Sequence, residues 1–445
     1  MKVLFAVELY HPSVGGAQVV VRHLAERLAS AGHDVTVVTT RLAERTSDTH
    51  KGVRIVGFDV MGNQAVGMRG EIQAYQDFLT SSPADVLFIY AAQQWTFDAA
   101  IPVLGKIPCA KVFVPCGYSG LYRPEYADYY RQMPDALRQM DAVVYHAESY
   151  RDVDFAKAHG LSNHVVVPNG ADTEEFDAPT VPGFRSGIGA QTQDVLLLTV
   201  GAFTGSKGHQ EVAEAFALAD FGDRTAFLVL NGNSPGRDQN SAFSRLLSLA
   251  LEIGWRRAIR HHVAHFLMPW RYRKEDPLQT CIDAINSGRF GKKKILKVDL
   301  PRDQLVQAFL QSDLFVFASN IEYSPLVLFE ACAAGLPFLS VPAGNAREIA
   351  EWTGGGRICE APVDELGYCR VAPAALAHSI ESLIADPATL ATFSRQGQAA
   401  ARQRFNWATL AREYEQLFLS LASRSRHAEA PSASAETAPQ ALPQQ

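Results

Sequence analysis

Residues 314–341 read LFVFASNIEYSPLVLFEACAAGLPFLSV. The outer runs, Leu314 to Ser319 and Phe338 to Val341, have the length and apolar content of buried strands. Between them Ser324 and Pro325 precede an apolar run, the order of a helix N-cap and a first helical residue. Ala331 to Ala334 then lead into Gly335 and Pro337, a left-handed cap followed by a breaker. The spacing predicts a helix of about ten residues and a β-loop-α-β unit around it. In such units ligands bind beyond the carboxyl ends of the strands. The free amides of Leu326 and Val327 would face that crevice and favour an anion, most naturally a phosphate. Glu322 falls in the loop and Glu330 in the helix. Surface carboxylates are common, so the pair alone decides little.

The same alternation fills the rest of the chain. "KVLFAV", a helix from about Ala17 that Gly32 ends, "DVTVVT", "DVLFIY", "AKVFVP" and "DAVVYH" make a first α/β half. Ala17, Val20, Val21, Leu24, Ala25 and Leu28 form the apolar stripe that packs this helix on the sheet. "DAPTVPGFRSGIGAQTQ" reads as a linker. The pattern restarts with "DVLLLTVG", a helix near Gln210 to Leu218, "AFLVLNG" and "KILKVDL". The fold class expected is α/β, two Rossmann-like domains facing across a cleft, spanning 1–180 and 190–395. Terminal helices are expected over 396–422. A Ser/Ala/Pro/Gln-rich tail over 423–445 is expected to be disordered.

Composition is that of an ordinary globular enzyme, 47% apolar and 20% charged over 445 residues. Six cysteines without CxxC pairing read as reduced thiols, which predicts a cytoplasmic protein. The N-terminus lacks signal-peptide shape, and no apolar run approaches a membrane span. The net charge of -6 conceals a basic segment: residues 255–297 hold eleven Lys or Arg against three Asp or Glu. With Trp255, Phe266, Trp270 and Tyr272 among them, this segment is a candidate for peripheral contact with anionic lipid at the inner membrane surface, or with an acidic partner. No nucleic-acid motif is present.

Two further glycine-containing turns suit phosphate chemistry. In "HPSVGGAQ", Gly15 and Gly16 lie between the first strand and its helix and let backbone approach a ligand. In "TVGAFTGSKGH", Gly201 ends a strand and Lys207 would bring an ammonium to the mouth of the second domain. It is not a P-loop, because GxxxxGK[ST] is absent.

Taken in this order, these elements resemble the family 4 glycosyltransferases, retaining enzymes of the GT-B fold that use activated sugar donors. The resemblance runs from "PSVGGAQVVVRHLAERLASAGHDVTVVT" through "VVVPNGADTEEF" and "VGAFTGSKGH" to "SNIEYSPLVLFEACAAGLPFLSVPAGNAREI", and the E-x7-E element Glu322 to Glu330 is its most specific part. It implies that Glu330 holds the ribose hydroxyls of a nucleotide and that Glu322 contacts the donor sugar. The backbone from Ser324 through Pro325 and Leu326 to Val327 would hold the phosphates. It implies that Lys207, beside Gly201, neutralises the diphosphate, and that Gly16 lets the first domain close over it. The first domain would then bind the acceptor and the second the nucleotide sugar.

Such chemistry needs a stabilised diphosphate leaving group, which Lys207 supplies without a divalent cation, so no metal or other cofactor is expected. A hexose would pass with retention to a glycan, lipid-linked or small-molecule acceptor. Two positions depart from the family pattern: Ala202 stands where an arginine is common, with His209 or Arg347 as substitutes, and Cys116 stands where a histidine is common. Cys116, Tyr118 and Trp95, with Tyr122, are the acceptor-side candidates, and His146 a satisfied rim histidine or a substitute for the missing one. A nucleotide-sugar epimerase and a protein that binds a nucleotide sugar without transfer are the alternatives.

Overall fold

The structure is a computed structural model that describes residues 1–177, 179, 183–232 and 276–429, with side chains to residue 424. Its first sheet contains β1 (Lys2–Ala6), β2 (Asp34–Thr40), β3 (Thr49–His50), β4 (Val53–Phe58), β7 (Val86–Tyr90), β8 (Ala110–Val114), β9 (Ala142–Tyr145) and β10 (His164–Val166). They lie in the order β10-β9-β8-β7-β1-β2-β4-β3, parallel except for the edge pair β3–β4. β5 (Val60–Asn63) and β6 (Gly67–Gly70) form a separate antiparallel hairpin. The second sheet is wholly parallel: β11 (Val195–Val200), β12 (Ala226–Asn231), β13 (Lys293–Val298), β14 (Leu314–Phe317), β15 (Phe338–Ser340) and β16 (Gly356–Ile358), ordered β13-β12-β11-β14-β15-β16.

The central strands β7, β11 and β14 are almost unbroken apolar runs because both faces of each sheet are covered. Val3, Phe5 and Val7 turn to one layer with Val20, Leu24 and Leu28 of the helix Gly16–Ser30, while Leu4 and Ala6 turn to the other with Leu87 and Ile89. In the second domain Leu197 faces one layer and Leu196 and Leu198 the other. Strand alternation thus makes four apolar layers from two sheets.

Strand order reverses between β1 and β7 in the first sheet and between β11 and β14 in the second. These two switch points are where crevices open beyond the strands' carboxyl ends. Hydrogen bonds tie the second domain's loops after β14 and β15 to the first domain's loops after β9 and β10. The His146 amide donates to the Tyr323 hydroxyl at 2.9 Å, Asn345 Nδ2 to the His146 carbonyl at 3.0 Å and Asn169 Nδ2 to the Ser324 carbonyl at 3.1 Å.

The helical end of the chain is longer than the sequence suggests. Helices cover Pro387–Gln403 and Trp407–Glu429, so helix begins before residue 396 and continues into the segment expected to be disordered; residues 430–445 lie outside the described residues. The last helix leaves the second domain at Phe405 and returns to the first, where Phe418 meets Phe5 and Phe88 with ring centroids 6.3 and 5.7 Å away. An apolar stripe shows that a helix must pack, but not on which domain.

The basic segment is divided. Residues 255–275 lie outside the described residues, whereas the remainder forms the helix Pro277–Asn286 and β13, integral to the second domain rather than inserted in it. Lysines there meet the protein itself: Lys293 Nζ donates to the Ala217 carbonyl at 2.7 Å, and Lys297 Nζ lies 5.0 Å from the Phe203 ring centre. Among the described residues no helix is long and apolar enough to cross a membrane.

Candidate functional site

The loop after β11 and the loop after β14 are clamped together, and that clamp places Lys207. The Asn320 amide donates to the Ser206 carbonyl at 2.8 Å and Ser319 Oγ donates to it at 3.2 Å. Gly208 adopts φ +73, and a Cβ there would lie 1.9 Å from the Ala318 carbonyl oxygen, so only glycine permits this approach. Gly201 leaves room for the lysine stem, since its Cβ would sit 3.2 Å from Lys207 Cβ. With the loops so joined, Lys207 Nζ donates to Glu322 Oε1 at 2.6 Å, directly at the second domain's switch point. The Glu322 carbonyl is held in turn by the Tyr150 hydroxyl of the first domain at 2.5 Å.

The helix behind this pair spans Leu326–Ala333, eight residues rather than about ten, and its N-cap is Pro325. Ser324 is therefore not the cap. It stands one residue too early for its oxygen to meet the first amides, and its buried Oγ has no hydrogen-bond partner. Leu326 and Val327 are the first two helical residues, so their amides have no carbonyl one turn back within the helix. An unsatisfied buried hydroxyl beside a helix N-terminus suits an anionic oxygen. At the other end Gly335 takes the left-handed conformation expected of it, φ +68, and Leu336 N–H donates to the Ala331 carbonyl at 2.9 Å.

Glu330 projects from this helix to a residue that sequence reasoning missed. Arg302, at the start of the helix Arg302–Gln311 after β13, approaches Glu330 Oε1 at 2.7 Å and donates from Nε to Glu175 Oε2 at 3.0 Å. Burial raises the Glu330 carboxyl above its ordinary range and Arg302 opposes that rise. Burial likewise works against the Arg302 charge, but Glu330 and Glu175 outweigh it and hold the guanidinium above its usual range. The only signal in "LPRDQL" is a cation at a helix start, and nothing local names its partner.

The remaining candidates divide into those at the cleft and those in the core. A Cβ on Gly16 would meet nothing within 4 Å, so space is open in front of the first turn. Cys116 follows β8 with φ +61; burial, then the Asp152 charge, push its thiol up to about 12, leaving a neutral S–H. Trp95 and Tyr118 are corrections to the acceptor-side reading. Trp95 is fully buried, donating Nε1–H to Thr40 Oγ1 at 2.9 Å and packing edge-on against Tyr75. Tyr118 is buried against Tyr130 and Phe155. Neither ring has a face free for a sugar. Tyr122 is exposed, with the Arg151 guanidinium 5.3 Å from its ring centre.

The His146 ring is paired within its own domain. Its Nδ1 contacts the Val167 carbonyl at 2.8 Å and its Nε2 the Tyr90 hydroxyl at 3.1 Å, and burial lowers its pKa to about 4. The two residues expected to substitute for the arginine absent at Ala202 do not bring a free cation. Burial, followed by Lys297 and Lys207, lowers the His209 pKa to about 4, so it is neutral, and Arg347 is engaged at the surface with Glu360 at 2.6 Å.

Comparison with known proteins bears on the family and the fold. Residues 15–170 match the model of the glycosyl transferase 4-like domain and residues 290–400 that of glycosyl transferases group 1. The chain is 28% identical over 221 residues to a GDP-mannose:cellobiosyl-diphosphopolyprenol alpha-mannosyltransferase of Xanthomonas oryzae pv. oryzae (strain PXO99A), covering 47% of this chain and 54% of that protein. It thus spans about half the length of that curated relative. Among solved structures, sucrose-phosphate synthase from Thermosynechococcus elongatus superposes with a TM-score of 0.66 at 17% identity, over 95% of this chain and 99% of that one. Anabaena HepE in complex with UDP and glucose superposes with a TM-score of 0.64 at 18% identity, over 95% and 100% of the two chains. At these identities the superpositions establish the fold, which is GT-B.

Proposed function

We propose that this chain, of the GT-B glycosyltransferase type with a 4-like domain before a group 1 domain, transfers a hexose from a nucleotide diphosphate sugar to a carbohydrate or lipid-linked acceptor with retention. The observation that carries the reading is Lys207 Nζ held 2.6 Å from Glu322 Oε1 at the switch point that the Leu326–Ala333 helix enters. In the reaction the anomeric C–O bond to the diphosphate breaks and its electron pair leaves with the diphosphate. A bond forms from an acceptor hydroxyl oxygen to the same carbon, and the hydroxyl proton passes to the departing diphosphate oxygen. Negative charge grows on the leaving group, where Lys207 and the amides of Leu326 and Val327 stabilise it. Glu322 contacts the sugar, Glu330 the ribose, and Gly16 leaves the first domain free to close over the diphosphate.

The relative's GDP-mannose donor and lipid diphosphate acceptor, and the UDP bound to HepE, make GDP- and UDP-sugars the first donors to try and polyprenyl-diphosphate sugars the first lipid acceptors. Peripheral membrane contact through residues 255–297 goes with a lipid acceptor. Thermal shift with UDP-, GDP- and ADP-sugars identifies the donor, because a ligand bound only to the native state raises stability. Nucleotide diphosphate release is then followed with and without acceptor, in the presence and absence of EDTA. Transfer predicts acceptor-dependent release that EDTA leaves intact. Glu330→Ala should weaken nucleotide binding at least tenfold by calorimetry, and Lys207 substitution should act chiefly on turnover. Donor binding without release would show a sugar-nucleotide-binding protein, and donor consumption without acceptor an epimerase.

A further inference from the structure

The first domain has a switch point of its own, between β1 and β7, and its chemistry is the reverse of the one opposite. Glu8 lies just past β1, in the loop that leads to Gly15 and Gly16. Its backbone is fixed: its carbonyl accepts the Thr40 amide and the Thr39 hydroxyl, each at 3.0 Å. Its amide reaches Gln94 Oε1 at 3.4 Å, in the loop after β7. Its carboxyl, only partly exposed, has neither a cation nor a hydrogen-bond donor among the described residues. Behind it, at the end of the short helix Trp95–Asp98 that follows Gln94, stands Asp98, 2% exposed, with its oxygens taken by the Tyr129 hydroxyl at 2.8 Å and the Gln64 amide at 2.9 Å. The Thr96 hydroxyl in the same segment is buried and also unpartnered. Burial, and then the Asp98 charge, raise the Glu8 carboxyl to about 7, and no cation contributes.

A carboxyl held this way at a crevice is under-satisfied, and what it lacks is donors. Asp98 cannot supply them and repels further negative charge. If the donor's diphosphate occupies the opposite switch point, the crevice facing it is where the acceptor must present its hydroxyl. We propose that Glu8 is an acceptor-binding residue, taking hydrogen bonds from sugar hydroxyls, and that the paired acids select an uncharged acceptor sugar over a uronic acid or sugar phosphate. This rests on the transferase reading above and deepens it, with the selecting residue in the first domain and the donor residues in the second.

The test uses the full chain with the nucleotide sugar that raises its melting temperature, and p-nitrophenyl glucosides and mannosides against p-nitrophenyl glucuronide as acceptors. The neutral glycosides should be used at least about tenfold more efficiently. Glu8→Gln should raise their KM about tenfold with the donor Kd unchanged, and Glu8→Lys should shift preference toward the glucuronide. Turnover with unchanged KM and unchanged preference in both variants overturns the assignment. Absence of nucleotide release from wild-type protein with every donor and acceptor would instead defeat the transferase reading. In that case saturation-transfer NMR of the same glycosides still reads the Glu8 contact. Equal signal from wild type and Glu8→Gln, with matched melting curves, overturns it there too.

Discussion

The two switch points face each other with opposite provisions of charge. In the second domain each acid has a base: Lys207 on Glu322, Arg302 on Glu330. In the first domain Glu8 lies against the buried Asp98, neither has a base among the described residues, and burial raises both carboxyls. An ion-paired crevice holds its cations ready without the full cost of isolated buried charge, and an anionic ligand can take over from the carboxylates. An unpaired acidic crevice repels that same ligand and invites neutral donors. On the proposed function, this contrast places the diphosphate toward the second domain and the acceptor hydroxyls toward the first.

The largest expected effect comes from removing a base. Lys207→Met should lower turnover by about 100- to 1,000-fold, the loss typical of one donor to a developing anion. The Lys207→Met/Glu322→Gln double variant should recover folding stability without recovering turnover. Activity near wild type in either would break the contrast at its cationic end.

Asp98 tests the acidic end through pH. Burial, against hydrogen bonds from Gln64, Tyr129 and Gln93, raises its carboxyl from 3.8 to about 6. Between those values the native state keeps a proton that the unfolded chain releases, so stability falls as pH rises through the window, by about 3 kcal/mol. Asp98→Asn should remove that slope in urea midpoints compared at pH 4 and pH 7. His146, lowered to about 4 by burial, works in the opposite sense, costing stability as pH falls below its ordinary 6.5. The difference between variant and wild type therefore carries the result, and parallel curves would place Asp98 in a less buried state. The smallest effect belongs to Arg347→Ala. Its exposed pair with Glu360 should contribute little to stability, with turnover unchanged. A tenfold fall in turnover would show that Arg347 serves the cleft, so that the cationic end extends beyond Lys207 and Arg302.

What could be read along the chain and what could not differ in kind. The apolar runs of β1, β7, β11 and β14, the stripe of the helix Gly16–Ser30 and the left-handed Gly335 were all legible, because each depends on the spacing of a few neighbouring residues. Lys207 and Glu322, singled out through the motifs that carry them, do meet, while Glu330 meets Arg302. Ser324 misled because the rule for caps names a residue type, while one position along the backbone decides whether its oxygen reaches an amide. Trp95 and Tyr118 misled because an aromatic ring after a strand looks the same in sequence whether it faces a cleft or a core.

Amino-acid order alone settled that this is an α/β protein of two halves, since local periodicity and turn chemistry need no distant partner. Tertiary structure decided which charges meet. Arg302 finds Glu330 and Glu175, Glu8 is left beside Asp98, and the last helix returns to Phe5 and Phe88. Those outcomes depend on through-space distance between residues far apart in the chain, and separation along the sequence carries no measure of it.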